Sequence, residues 1–198
     1  MSKAIVIYSS KRGSTRQYAD WIAEALNCSA VPLDQMSSEE LREYDAVLYG
    51  GWLRGSGIIG WKEIAPALAG LYDRTVLFIT GISEYTPANY MQICEINFGG
   101  LGEMGKMQLF FTPGKYDPAE VKGLDRFLMK VSRSVLKSGK TKEGASDADR
   151  MIDAIDHGVD KVDRRYAEPV IRAARKLLGA DPADGSAVKE PSDDGQQA

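Results

Sequence analysis

Histidine and cysteine are almost missing from this chain: His157, Cys28 and Cys94 are all there is in 198 residues. Two thiols cannot build a disulfide framework, and neither their spacing nor a lone histidine makes a metal motif. Cys28 and Cys94 are expected as reduced thiols in or near the core. A Ser/His/Asp triad would depend on His157. That residue sits beside Gly158 at an expected helix end, where a cation suits the terminal carbonyls. There is no Gly-x-Ser-x-Gly elbow, and the turn from Ser9 to Thr15 has neither the Gly-Lys-Ser/Thr ending of a P-loop nor the Gly-x-Gly-x-x-Gly signature. Apolar runs are too short to cross a bilayer, and Met1 to Tyr8 lacks the apolar core of a signal peptide. A cytoplasmic location is expected. With a net charge of -3, the chain has no positive excess for broad nucleic-acid binding.

What is present reads as one globular domain over residues 1–180, long enough to bury a core. Ala4 to Tyr8 is a continuous apolar run, as in a strand buried on both faces. Ser14 is expected to cap a helix whose Tyr18, Ile22, Ala25 and Leu26 share a face. Cys28 to Leu33 is a weaker strand, and Ser37 with Glu40 makes a capping box for a short helix. Asp45 to Tyr49 reads as the third strand, followed by a glycine-rich loop from Gly50 to Gly60. A helix begins near Trp61, a core residue, and Pro66 interrupts it. Thr75 to Thr80 is a fourth strand. Thr86-Pro87 is a helix start, with proline where a missing N–H does no harm. Lys106 to Thr112 is a fifth strand. Beyond it the pattern is helical. Leu124, Leu128, Val131 and Val135 share one face, Ser138 to Ala145 is a polar loop, and Ser146 with Asp149 caps a helix closed by His157-Gly158. A last helix ends near Leu178. From Asp181 the polar composition predicts a disordered tail over residues 181–198.

Such alternation predicts an α/β fold, a parallel sheet between two helix layers, with extra helices at the C-terminal end. Five strands suggest the order 2-1-3-4-5. Ligands then bind beyond the carboxyl ends of the strands, at the switch between strands 1 and 3. The loops after strands 1, 3 and 4 reach that edge. The first is Ser9-Ser10-Lys11-Arg12-Gly13-Ser14-Thr15. Backbone N–H groups in a tight turn at a helix start attract an anion, and the hydroxyls of Ser10, Ser14 and Thr15 can donate to its oxygens. Gly13 permits close approach. Lys11 and Arg12 either neutralise the anion or lie in solvent.

This hydroxyl-rich turn after an N-terminal strand resembles the phosphate loop of flavodoxins. A closer likeness is to the flavodoxin-domain branch that includes menaquinone-dependent protoporphyrinogen oxidase. It rests on Tyr8 to Thr15, on Gly50 to Arg54, and on Gly114-Lys115-Tyr116 followed by Leu124-Asp125-Arg126-Phe127-Leu128-Met129-Lys130. Trp52 departs from the small residue expected there in that branch. The resemblance implies bound FMN and redox chemistry. It implies either electron transfer between redox partners or, as the alternative, FMN-dependent oxidation of protoporphyrinogen with a quinone acceptor. A scaffold that has lost its flavin is a third reading.

A flavin ring needs flat apolar surfaces beside it. The loop Gly50-Gly51-Trp52-Leu53-Arg54 and the loop Gly81-Ile82-Ser83-Glu84-Tyr85 each offer an aromatic residue, Trp52 and Tyr85. Gly50, Gly51, Gly55 and Gly57 would let backbone approach the ring. Glu84 and Arg54 would act oppositely on its potential. On the predicted helix after residue 123, Arg126, Lys130, Arg133 and Lys137 fall on one face. That stripe suits weak contact with an anionic membrane surface, although a solvated face of a helix packed on the sheet is the simpler expectation.

Overall fold

The computed structural model describes residues 3–82, 85–100, 102–138 and 147–179. Strand β1 (Ala4–Tyr8) is buried along its whole length. It pairs in parallel with β2 (Ser29–Pro32) on one side and β3 (Ala46–Arg54) on the other. The sheet continues through β5 (Thr75–Gly81) to β6 (Gln108–Pro113). The five parallel strands therefore lie in the expected order 2-1-3-4-5, since the intervening β4 (Gly57–Ile58) is only a short antiparallel return against β3.

Alternation along the strands assigns the two helix layers. Val6, Tyr8, Leu48 and Phe78 face α1 (Ser14–Leu26) and α6 (Glu168–Leu177), where Tyr18, Ile22, Val170, Ile171 and Ala174 are buried. Ile7, Val47, Tyr49 and Ile79 face the opposite layer, built by α2 (Trp61–Leu68) and α3 (Pro87–Phe98). Trp61 is a core residue there, edge-on to Phe98, and its indole N–H donates to the Asn97 carbonyl at 2.9 Å. Both cysteines are free thiols, Cys94 buried and Cys28 half-buried. Burial pushes the Cys28 thiol up to about 11. The Thr86 hydroxyl caps α3 by accepting from the Asn89 N–H.

Several local expectations do not hold. Ser14 is not the cap of α1. The capping position is Gly13, at φ 90°, and the Ser14 hydroxyl accepts from the Lys115 N–H instead. Ser37 and Glu40 form no capping box, and only a single 3₁₀ turn, Glu40–Glu43, appears. The third strand does not stop at Tyr49 but runs on through Gly50, Gly51, Trp52 and Leu53 to Arg54. The glycines make this continuation possible. A Cβ at Gly50 would strike the Phe78 ring, and one at Gly51 would strike Ile58. His157 ends helix α5 (Asp147–His157), but its Nδ1 meets Asp153 Oδ1 of the same helix at 2.8 Å.

Between β6 and α6 the chain makes an excursion. It leaves through β7 (Lys115–Tyr116), builds α4 (Gly123–Ser138) and α5, and returns through β8 (Val159–Asp160), which pairs antiparallel with β7. The helix α4 does not lie on the sheet as a helix of the core would. None of its residues is buried, it packs on α5, and Leu124, Phe127, Val131 and Val135 are exposed by 66, 62, 43 and 63%. Among the described residues no helix is long and apolar enough to cross a membrane. The expected polar loop 139–145, the Ser146 cap and the tail from Asp181 lie outside the described residues. Replacing Gly50 by Ala overpacks Phe78 and should lower the urea-unfolding free energy by about 1–3 kcal/mol, with the slope unchanged.

Candidate functional site

The carboxyl ends of β1, β3 and β5 open into a cleft of about 780 Å³. Its floor is the turn after β1. The Ser9 N–H donates to the Gly50 carbonyl at 2.8 Å, which ties the turn to β3. Gly13 then adopts a left-handed conformation and starts α1. The result points the first turn of α1 at the cleft, with Ser10, Lys11, Arg12, Ser14 and Thr15 on the wall. Thr15 is buried. The Ser10 hydroxyl oxygen is buried and has no hydrogen-bond partner among the described residues. A buried hydroxyl left unpaired is costly unless something else satisfies it.

The second wall is the β3–β4 hairpin, carrying Trp52, Leu53, Arg54, Gly55 and Ser56. Asn97 of α3 holds this hairpin in place. Its Oδ1 accepts from the Ile58 N–H, and its Nδ2 donates to the Ser56 and Ile93 carbonyls, all at 2.7–2.8 Å. The Trp52 ring has cations against it: Lys11 Nζ lies 5.9 Å and Arg54 Cζ 5.0 Å from the ring centroid. The third wall includes Thr80, Gly81 and Ile82 from the end of β5. The Thr80 and Thr112 hydroxyls meet at 3.0 Å beneath it. The far side mixes Leu128, Met129, Val131 and Leu136 of α4 with Ser132 of α4 and Arg150, Met151 and Asp153 of α5.

The charge at the cleft is organised by Asp125 in the first turn of α4. Its Oδ2 accepts from Lys11 Nζ at 2.6 Å and from Arg12 Nη2 at 3.0 Å. Its Oδ1 is 3.6 Å from Arg54 Nη2. Asp125 is 13% exposed in its side chain, so three cations from two loops converge on one largely covered carboxylate. The Lys11 hydrogen bond, against some desolvation and aided by Arg12, holds its carboxyl below the usual aspartate range.

The expected residues are thus only partly assembled. Ser10, Lys11, Arg12, Ser14, Thr15, Trp52, Leu53, Arg54, Gly81 and Ile82 share the cleft. Ser9, Gly13, Gly50 and Gly51 shape it from behind without lining it. Tyr85 is not at the cleft wall. Its ring lies tilted against Phe111, with centroids 5.1 Å apart, and lines a neighbouring cavity of about 250 Å³. Ser83 and Glu84 lie outside the described residues. Of the α4 basic stripe, Arg133 is drawn to Asp156 of α5 at 2.6 Å, while Arg126, Lys130 and Lys137 are exposed. Sequence reading missed Asn97, which carries no motif. It also missed the role of Asp125, quoted only as part of a resemblance although an acidic residue in a first helical turn was a visible signal. Among the described residues no group of His, Cys, Asp or Glu could hold a metal ion.

A doubly wound sheet with a hydroxyl-rich turn at its switch point is the architecture of mononucleotide-binding α/β domains. Residues 5–143 match the family model of the flavodoxin domain, and the chain belongs to that family. Its cofactor is FMN. Among solved structures, the WrbA-like flavodoxin from Agrobacterium tumefaciens is similar at 15% identity and TM-score 0.45, covering 89% of this chain and 99% of that one. A flavodoxin from the domain Archaea gives 15% and 0.41, over 78% and 99%. The rubredoxin oxygen:oxidoreductase of Desulfovibrio gigas gives 16% and 0.43, over 91% of this chain and 38% of that one. These scores are too low for any of the three to speak for function. Compared with curated proteins, the sequence has no significant match. The residues at the turn fit the FMN phosphate: an unpartnered buried hydroxyl, helix N–H groups and two cations stand where a dianion needs donors.

The lowered carboxyl sets a pH dependence. A depressed folded-state value stabilises the protein above the unfolded value of about 4, and that contribution is lost as pH falls through the folded value. Carbon-13 titration should place the Asp125 midpoint below that of an ordinary aspartate, and Lys11→Gln should move it up.

Proposed function

We propose that the cleft holds FMN with its phosphate on the Ser10–Thr15 turn, and that the protein passes electrons between redox partners in the cytoplasm. The observation that carries this reading is the buried Ser10 hydroxyl with no partner, facing the cleft from the turn that opens α1. When bound, FMN supplies the electron chemistry; the chain binds, orients and shields it. Ser10, Ser14, Thr15 and the N–H groups of the turn donate to the phosphate, with Lys11 and Arg12 beside them. Trp52 gives the ring a flat apolar neighbour, and its hairpin is kept rigid by Asn97. Cations on the Trp52 face favour added electrons nearby, because negative charge gained beside fixed positive charge is stabilised. A quinone-linked oxidation of protoporphyrinogen has no observation of its own and is set aside.

The purified protein should carry FMN in equimolar amount or take it up. In Ser10→Ala with Thr15→Ala, each lost charge-assisted hydrogen bond should weaken FMN by about 1.5–3 kcal/mol, measured by fluorescence quenching. Unchanged FMN affinity in that double variant would place the phosphate elsewhere.

Exposed Leu124 and Phe127, flanked by Arg126, Lys130 and Lys137, favour an additional weak contact with an anionic membrane surface. Vesicles containing phosphatidylserine should co-sediment with the protein in low salt and release it in high salt. Phe127→Ser should abolish the association while leaving the far-ultraviolet circular dichroism unchanged. Equal binding to neutral vesicles would rule out the contact as described.

A further inference from the structure

The cations that should meet a phosphate are already engaged. Lys11 and Arg12 come from the turn that would cradle the dianion, yet both donate to Asp125, and Arg54 approaches the same carboxylate from the opposite hairpin. Asp125 and Ser10 line one cleft. The carboxylate comes from α4, a helix with no buried residue of its own, which also pairs Arg133 with Asp156 of α5.

We propose, resting on the FMN reading above, that Asp125 is an internal stand-in for the phosphate: it holds α4 across the cleft by the loop cations, and a phosphate-bearing ligand takes those cations from it and releases the helix. The reasoning is electrostatic. Both anions seek the same ammonium and guanidinium groups, and each lowers the other's hold by repulsion. A carboxylate carries one charge and a phosphate monoester nearly two, so three cations discriminate in favour of the phosphate once it enters. Riboflavin, which has the same ring and no phosphate, leaves the latch shut. Asp125 thereby competes with the phosphate for the loop cations and couples phosphate binding to the position of α4.

Two measurements test this. In calorimetry at physiological salt, Asp125→Asn should tighten FMN by about tenfold, because the competing carboxylate is gone. It should leave riboflavin affinity within about twofold. In the unaltered protein, amide hydrogen exchange across Gly123–Ser138 should rise on addition of FMN and stay unchanged with riboflavin, a direction opposite to ordinary ligand protection. The latch is overturned if FMN binds and Asp125→Asn leaves its affinity unchanged or weaker. It is equally overturned if α4 becomes more protected as FMN binds, a result that does not depend on how well the variant folds. Either result leaves the flavin reading intact. Failure of the unaltered protein to bind FMN at all overturns both.

Discussion

The five-residue strand Ala4–Tyr8 is paired on both edges and covered on both faces, and the rest of the arrangement follows from that confinement. With every backbone group committed and every side chain buried, the strand has no freedom in register: a slip of one residue would exchange Val6 for Ile7 between two differently shaped cores. Its end is therefore fixed beside Gly50. The Ser9 N–H bonded to the Gly50 carbonyl then dictates where the chain must turn. Gly13 turns it through a left-handed conformation, and α1 starts with its free N–H groups aimed outward past the sheet. A precisely placed turn with outward N–H groups is thus a by-product of a strand that cannot move.

Against this rigid floor stands a roof of different character. The excursion through α4 and α5 leaves and re-enters the domain at the β7–β8 ribbon, with the Lys161 N–H donating to the Gly114 carbonyl close by. Beyond that ribbon α4 meets the site by charge at Asp125 and has no buried residue, while Ile152, Ala154 and Ile155 of α5 are buried. Polar ties of this sort exchange partners at little cost when a better anion arrives, whereas a packed helix such as α1 cannot shift without opening a core.

The five parallel strands and the α3 start were legible in the sequence because each rests on a local signal: a short apolar run, or Thr86-Pro87 at a helix entrance. The hydroxyl-rich turn from strand to helix after Tyr8 was legible for the same reason. What sequence could not show was fixed by partners distant in the chain. Gly50 and Gly51 read as loop residues, since glycine disfavours strands; only the Phe78 ring above one and Ile58 above the other explain an extended conformation there. The capping expectation at Ser14 failed because its hydroxyl is claimed by the Lys115 N–H, 101 residues on. The apolar pattern of α4 predicted a helix correctly but implied a buried face, because periodicity reports amphipathicity and not what covers it.

The Tyr18 hydroxyl donates to the Pro113 carbonyl and accepts from the Asp163 N–H, and the same helix face is sealed by Val170, Ile171 and Ala174 of α6. The opening strand thus acquires its last wall from residues synthesised more than 160 positions later. A ribosome-bound chain cannot complete this hydrophobic layer before α6 emerges, so until then Val6, Leu48 and Phe78 have only α1 against them. Chaperone demand and aggregation risk in this protein are set by that interval.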